Sequence, residues 1–375
     1  MKKLGAALLM GLDDEAARAK ELILAELSFD HDMTIQVFEV TIRLLGGLLS
    51  AYQMDGDPRF LELAVDLADR MLPAFDTPTG MPYVRVNLAT GATEWTENNP
   101  AEIGTLTLEF GLLSRLTGDP RYFDAATKGV TELHRRRSAL GLVGTVIDVE
   151  TGQWQNVESH VSGMIDSYYE YLLKAWLLFD DDDFRHMWEG SRDAINRHLA
   201  MEVDGSLWYG RVDMESGETT AAISGALDAF LPAVLALGGD LDRAARLMDS
   251  VHLMWTTFDV EPESFDFTTM EVIHPGYPLR PEAIESAYYL FVLTGDERYR
   301  DMGRDIFHRI VRWTRVEHGF AHLVDVRTKK KDDAMESFFL AETLKYAYLL
   351  ADPSAIEFDE VVFNTEAHPL RPVRR

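Results

Sequence analysis

The chain contains no cysteine, which excludes disulfide bonds and metal sites built from thiolates. It also has no apolar run approaching the roughly 20 residues that a membrane-spanning helix needs. Positive charge is scarce, since 36 Lys and Arg stand against 63 Asp and Glu for a formal net charge of −27. Such a chain repels nucleic acids and anionic lipids, so we expect neither nucleic acid nor membrane as a partner.

Residues 1–10 have the basic start and apolar stretch of a secretory signal peptide. They continue into Asp13, Asp14 and Glu15 without a cleavage-type site. We interpret this stretch as part of a helix, and the compartment stays open.

A weak internal repeat organises the chain. Turns rich in Gly and Asp recur about every 60 residues, at 56–57, 118–119, 180–183, 239–240, 295–296 and 351–352. An apolar helix is predicted before each turn, at 37–53, 101–116, 164–179, 222–237, 283–293 and 336–350. After each turn except the last, an amphipathic helix is predicted, at 59–72, 121–136, 184–199, 242–255 and 298–313.

Alternating apolar and amphipathic helices predict two concentric rings, an all-α toroid of (α/α) type forming a single domain over 1–375. Residues 16–27 add an amphipathic helix and residues 4–12 an inner one, which brings the count to about seven pairs. The longer connections contain β-like pieces and are expected to lie on one rim and shape the mouth of an axial cavity. They run over 76–100, 141–161, 204–220, 262–281 and 318–334.

The predicted inner helices carry acidic residues where a core should be apolar. Glu39 and Arg43 lie four apart on an apolar helix, and Glu109 is similarly placed. Each has an ordinary explanation: a surface ion pair for Glu39, an N-cap for Asp166, and stabilisation of the helix dipole for Glu282. Together, however, they are costly to bury unless the axis holds water, a cation or a polyhydroxylated ligand. Separated carboxylates are also what glycoside hydrolysis requires.

The last part of the chain carries a second set of candidates. Phe338, Glu342 and Tyr346 lie four apart and share one helix face. A predicted strand at 361–363 then leads to Thr365 and Glu366, where the Thr365 hydroxyl and carbonyl could bind a hard cation. The alternative is a helix with one buried Glu paired to an Arg, followed by a surface turn.

Six segments in this order resemble the class I α-mannosidases of glycoside hydrolase family 47. They are VFEVTIRLLGGLLSAY at 37–52, LPAFDTPTGMPY at 72–83, DSYYEYLLK at 166–174, LRPEAIES at 279–286, MESFFLAETLKY at 335–346 and FNTEAHP at 363–369. The resemblance covers nearly the whole chain. It implies an (α/α)7 barrel with short β-hairpins on one rim and a C-terminal hairpin plugging the barrel.

The resemblance further implies an inverting, Ca²⁺-dependent exo-hydrolase that removes terminal α1,2-linked mannose from oligomannosides or N-glycan arms. Its catalytic acid falls on Glu39. The base falls on Glu282 or Asp166, with Glu282 favoured. The resemblance assigns sugar binding to Arg43, Glu109, Arg280, Phe338, Glu342 and Glu366. It assigns Ca²⁺ to Thr365 directly, with Glu285, Glu336, Glu342 and Glu366 acting through water.

The chain also departs from the family pattern. The first inner helix is reduced to residues 4–12, and Met164 stands where the reticulum enzyme has a branch-selecting Arg. The segment LDAFLPA at 227–233 resembles that of the degradation-enhancing group more than that of the processing enzymes, which has an Asp-His pair; Gly225 and Ala226 fall near the position of that pair. We expect a bacterial member that acts as a monomer. The alternative function is a catalytically weak, lectin-like mannose-binding protein of the same fold; a third reading, an unrelated toroidal epimerase or lyase, fits Thr365 and Glu366 poorly.

Overall fold

Two rings of helices build the molecule, and the computed structural model describes them over residues 2–373, with side chains from residue 4 onward. Among these residues, six amphipathic outer helices comprise Asp13–Glu26, Pro58–Met71, Arg121–Arg135, Asp182–His198, Leu241–Phe258 and Glu297–Thr314. Seven inner helices contain Lys2–Leu9, Gly46–Asp55, Thr107–Thr117, Asp166–Phe179, Leu231–Leu237, Glu282–Thr294 and Leu344–Ala351. This confirms the predicted (α/α)7 barrel.

The inner ring closes on itself. Consecutive inner helices pack side by side, and Lys2–Leu9 contacts both Gly46–Asp55 and the Phe339–Thr343 segment of the last inner helix. Each outer helix packs against the inner helix that precedes it. The shortened N-terminal helix therefore still completes the inner ring. No helix within residues 2–373 has the length and apolar character required to cross a bilayer.

The repeated Gly-Asp turn has a structural explanation at two of the inner-to-outer connections. Gly56 adopts a left-handed conformation (φ 83°) that ends an inner helix, and the Asp57 carboxylate then accepts from Arg59 N to cap the outer helix. Asp296 caps the helix Glu297–Thr314 in the same way after the left-handed Gly295. Glycine tolerates positive φ and aspartate is a good N-cap, so this local chemistry produces the repeat.

Two predicted inner helices differ in detail from those observed. The stretch predicted as one helix at 101–116 is two, Pro100–Gly104 and Thr107–Thr117. The helix predicted at 222–237 is wrong in its first half, where Ile223–Gly225 is a strand paired with Ser264–Asp266. A Cβ on Gly225 would lie 2.1 Å from the Glu263 carbonyl oxygen, so the close strand pairing needs glycine there.

The first and last long inner helices contain π-helical turns. Val37–Val40 continues through the π segment Thr41–Leu45 into Gly46–Asp55. The second π segment, Phe339–Thr343, precedes Leu344–Ala351. Such turns are rare and often occur at functional sites, and here they contain Arg43 and Glu342.

Short antiparallel strands occupy the connections that lead from each outer helix to the next inner one, which confirms the predicted rim. They are Thr34–Gln36, Arg85–Asn87, Thr93–Glu94, Glu97–Asn98, Val146–Asp148, Trp154–Asn156, Glu158–Ser159, Ala200–Val203, Ser206–Tyr209, Arg211–Asp213, Thr219–Ala221, Ile223–Gly225, Ser264–Asp266, Glu271–His274, Arg315–Val316, Gly319–Phe320, Leu323–Asp325 and Lys330–Lys331. A last hairpin pairs Val362–Phe363 with Pro369–Leu370 and is buried inside the barrel. This is the predicted plug.

Candidate active site

An open cavity of about 290 Å³ lies at the rim end of the barrel. The N-terminal ends of the inner helices meet there, so their dipoles favour negative side chains. Nine of the predicted site residues line this cavity: Glu39, Arg43, Asp166, Arg280, Glu282, Phe338, Glu342, Thr365 and Glu366. Residues more than 300 positions apart in the sequence thus share one cavity.

A smaller chamber of about 40 Å³ shares Asp166, Glu282, Glu342 and Thr365 with the cavity. The chamber walls add Glu170 and Glu285 to these. We call this space the acidic chamber; it has room for an ion or one or two waters.

Arg43 connects two carboxylates on one side of the cavity. Its Nε donates to Glu39, and its Nη1 lies 2.7 Å from Glu366 Oε1. The Glu366 side chain is nearly fully buried, whereas 39% of the Glu39 side chain is exposed. Glu39 can therefore meet a ligand in the cavity while Arg43 holds its orientation.

Arg280 performs a similar role on another wall. Its guanidinium makes a two-pronged ion pair with Glu263 and lies 5.8 Å from the centroid of the Phe338 ring. Phe338 itself is half-buried and lines the cavity. A fixed cation beside an aromatic ring forms a platform suited to a sugar ring.

Backbone strain precedes both candidate bases. Met164, two residues before Asp166, has φ 77°, and Leu279, three residues before Glu282, has φ 68°. The Leu279 carbonyl is held by the Thr343 hydroxyl at 2.9 Å. Left-handed conformations are costly for residues with a side chain and cluster at functional sites.

The carboxyls around the acidic chamber hold their protons more tightly than usual. Burial away from water raises the pKa of Asp166 and of Glu285 to about 7. Burial raises the pKa of Glu282 to about 8, although Arg280 opposes the shift. Neighbouring Glu170 adds to the shift at Asp166 and at Glu285 because like charges repel. These carboxyls would ionise more readily beside an added positive charge.

The C-terminal hairpin brings Thr365 to the base of the cavity. Asn364 Nδ2 donates to the Ile42 carbonyl at 3.0 Å and to Glu109 Oε1 at 2.7 Å, while Asn364 Oδ1 accepts from two hairpin amides. A Cβ on Gly46 would lie 2.7 Å from Asn364 Nδ2. Glycine at 46 therefore permits the hairpin to approach the inner ring.

The residues around Thr365 fit a hard cation. All the polar groups that line the acidic chamber offer oxygen atoms, which Ca²⁺ prefers. Glu282 Oε2 is buried and makes no hydrogen bond, so the carboxylate has an unsatisfied oxygen there. Residues 2–373 contain no set of three acidic or histidine side chains arranged to hold a metal directly. A site here would use Thr365 and water, as the resemblance implies.

Two predicted site residues lie away from both spaces. Glu109 is fully buried and accepts from Asn364 and Tyr171, so it supports the hairpin rather than lining the cavity. Glu336 is exposed and lines neither space. A contact of either residue with sugar or metal water stays a prediction.

Sequence reasoning assigned no role to Glu170, Lys174 or Asn364. Glu170 and Lys174 form an i,i+4 pair on an apolar helix, the same signal that marked Glu39 and Arg43. Asn364 had no local signal, because its partners come from distant helices. Tyr346, predicted on one face with Glu342, donates to Glu285 Oε1 at 2.9 Å.

A carboxylate-lined cavity with an aromatic platform suits the hydrolysis of a glycosidic bond. The chain belongs to glycosyl hydrolase family 47, whose family model matches residues 2–372. This places the protein in a family of glycoside hydrolases.

Several proteins are similar over nearly the whole chain. The mannosyl-oligosaccharide 1,2-alpha-mannosidase MNS1 of Arabidopsis thaliana is 39% identical over 98% of this chain and 70% of its own length. The human ER degradation-enhancing alpha-mannosidase-like protein 2 is 38% identical over 97% of this chain and 69% of its own length. The chain spans between 46% and 70% of the length of eight curated relatives.

Solved structures of other proteins have a similar fold. The alpha-1,2-mannosidase from Trichoderma reesei superposes with a TM-score of 0.90 at 29% identity, covering 99% of this chain and 90% of that one. A sugar epimerase from a ruminal bacterium has a TM-score of 0.62 at 10% identity, covering 89% of this chain and 90% of its own. At 10% identity, the similarity to the epimerase shows only a shared fold.

Proposed function

We propose that the protein is an inverting exo-α-1,2-mannosidase that depends on Ca²⁺ and removes terminal α1,2-linked mannose from oligomannosides or N-glycan arms. The observation that carries this proposal is that Glu39, Asp166, Glu282 and Thr365 line one cavity. The similarity to 1,2-alpha-mannosidases supports the choice of sugar and linkage.

The shape of the cavity supports exo-action. The hairpin and the acidic chamber close its inner end, whereas the half-buried Phe338 and the exposed Met164 stand at its open part. A glycan that enters by its terminus would bring its last sugar residue into contact with Phe338.

In the proposed reaction, Glu39 donates its proton to the glycosidic oxygen as the bond to the anomeric carbon breaks. Glu282, or alternatively Asp166, takes a proton from the water that attacks the opposite face of the sugar. Arg43 orients Glu39, and Arg280 stands beside the base. The base must be ionised to act, so its raised pKa requires a compensating positive charge.

Calcium bound at Thr365 would supply that positive charge and coordinate sugar hydroxyls. Glu342 and Glu366, which line the cavity beside Thr365, would hold the surrounding water or the sugar. Glu285 faces the acidic chamber and would act on the water shell. We expect the enzyme to act as a monomer.

The lectin-like alternative is favoured by one feature. Gly225 and Ala226 fall near the position of the Asp-His pair of the processing enzymes, and a degradation-enhancing mannosidase-like protein is among the relatives. Such a protein would bind mannosides without releasing mannose.

The deciding experiment measures mannose release from α1,2-, α1,3- and α1,6-linked mannobioses, with and without Ca²⁺. We expect release from the α1,2 linkage only, dependent on Ca²⁺, with the β-anomer appearing first in proton NMR. Binding without release would favour the lectin-like alternative, and an initial α-anomer would refute inversion.

A further inference from the structure

A buried lysine lies beneath the acidic chamber. Lys174 is 1% exposed and lines neither the cavity nor the chamber, so no sugar can reach it. Arg43 and Arg280, in contrast, both line the cavity. The role of Lys174 must therefore be exerted through its neighbours.

Those neighbours are carboxylates of the acidic chamber. Lys174 Nζ donates to Glu170 Oε1 and lies 3.9 Å from Glu285 Oε1. Both glutamates belong to the wall of the chamber. The Tyr346 hydroxyl donates to Glu285 at 2.9 Å, which holds that carboxylate between the lysine and the chamber.

The surroundings of Lys174 favour its charged form, because the ammonium faces two carboxylates. Burial disfavours the ammonium form, but the Glu170 carboxylate and the other groups around it outweigh burial, so the pKa of Lys174 is raised above its usual value. The ammonium also lies 5.6 Å from the centroid of the Tyr289 ring, which favours a cation. Glu170 and Glu285 thus face both the Lys174 ammonium and the space in which a divalent cation would bind.

We propose that Lys174 is an internal counter-ion that competes with Ca²⁺ for Glu170 and Glu285 and thereby limits the affinity of the acidic chamber for the metal. This inference rests on the proposed Ca²⁺ dependence. Without the lysine, a bound cation would no longer compete with the ammonium for these two carboxylates. With the lysine present, the two buried carboxylates keep a positively charged partner when no metal is bound. Lys174 touches neither sugar nor reacting atoms, so it would act only through the two glutamates.

The test is Ca²⁺ affinity, measured by titration calorimetry on the full chain at pH 8 together with the rise in Tm that Ca²⁺ produces. Lys174→Met keeps the length of the side chain and removes its charge. We expect Lys174→Met to bind Ca²⁺ about tenfold or more tightly than the wild type, because a nearby repulsive charge is gone. An unchanged or weaker affinity would overturn the proposal.

Glu170→Gln provides the opposite change. It removes one chamber carboxylate and leaves Lys174 paired with Glu285 alone, so we expect Ca²⁺ to bind about tenfold more weakly. The double variant, Glu170→Gln with Lys174→Met, should return close to wild-type affinity because the two charges cancel. If Lys174→Met fails to fold, these two variants still decide, since undiminished affinity in Glu170→Gln contradicts the proposal.

Lys20→Met is the matched control. It lowers the net charge by the same amount, but Lys20 lies on an outer helix and pairs with Asp55 and Asp57 at the surface. Its Ca²⁺ affinity should equal that of the wild type. A wild-type protein that binds no Ca²⁺ would refute the proposed cofactor together with this inference. Normal wild-type binding with no gain in Lys174→Met would refute the inference alone.

Discussion

Both the outer and the inner ring contain pairs of oppositely charged side chains, but those of the outer ring are exposed and those of the inner ring are buried. On the outer helix Glu297–Thr314, Arg304 and Asp301 pair at 2.6 Å with 64% and 62% of their side chains exposed. On the inner helix Asp166–Phe179, Lys174 and Glu170 pair with only 2% and 6% exposed. Water screens the first pair, whereas the second must offset a large desolvation cost.

This difference shows which charges point to function. An exposed pair contributes little to stability and is a normal surface feature. A buried pair is often no better for stability than apolar residues of the same size. The acids of the inner ring, which meet at one cavity, are thus better explained by binding and chemistry than by folding.

The largest effect should come from removing an inner-ring acid at the cavity. Glu282→Gln keeps the shape of the side chain but cannot accept a proton, so we expect mannose release to fall by a factor of about 10² to 10⁴. Glu297→Gln is the control, because Glu297 opens an outer helix as Glu282 opens an inner one. Retained activity in Glu282→Gln would move the base to Asp166.

A large effect on stability is expected at the hairpin plug. Asn364→Ala removes four hydrogen bonds and leaves the Ile42 carbonyl and Glu109 without this donor. We expect the free energy of unfolding to fall by about 2 to 4 kcal/mol, measured by urea denaturation. Asn156→Ala is the control, because it removes one exposed hydrogen bond, from Glu158 N to Asn156 Oδ1. Equal losses in the two variants would show that the hairpin is not anchored through Asn364.

The pH dependence of stability should distinguish a buried acid of the inner ring from an exposed one. Burial raises the pKa of Glu109 to about 7, from an ordinary value of 4.5. Between these values the folded chain keeps a proton that the unfolded chain has lost, so stability falls as pH rises and levels off above about 7. The slope attributable to Glu109 is at most about 1.4 kcal/mol per pH unit.

Glu109→Gln should flatten this slope, because the amide oxygen can still accept from Asn364 and Tyr171 but no proton is exchanged. Urea midpoints of the metal-free protein from pH 5 to 8 would measure it. Glu202→Gln, on an exposed strand, should keep the wild-type slope. A Glu109→Gln protein as pH-sensitive as the wild type would contradict the expected shift.

The smallest effect is expected on the outer ring. Arg304→Gln removes the exposed pair with Asp301, and the free energy of unfolding should change by less than about 0.5 kcal/mol. The same urea measurement would detect it. A loss above about 1 kcal/mol would break the distinction between screened and buried pairs.

The sequence by itself determined the helical repeat and most of the residues that meet in the cavity. Caps such as Gly56 with Asp57 are local, and apolar periodicity is read within one helix, so both are visible without tertiary contacts. The resemblance to known motifs identified Glu39, Asp166, Glu282 and Thr365, which the structure places around one cavity. Whether these four act as assigned stays a prediction.

Only the tertiary structure decided which acids face the cavity and which support it. Glu109 and Asn364 are 255 positions apart, and their hydrogen bond anchors the plug, whereas a contact of Glu109 with sugar stays a prediction. The strand Ile223–Gly225 replaces a predicted helical turn because it pairs with a segment about 40 residues later. Such pairings depend on partners distant in sequence, so neither local periodicity nor local propensity could predict them.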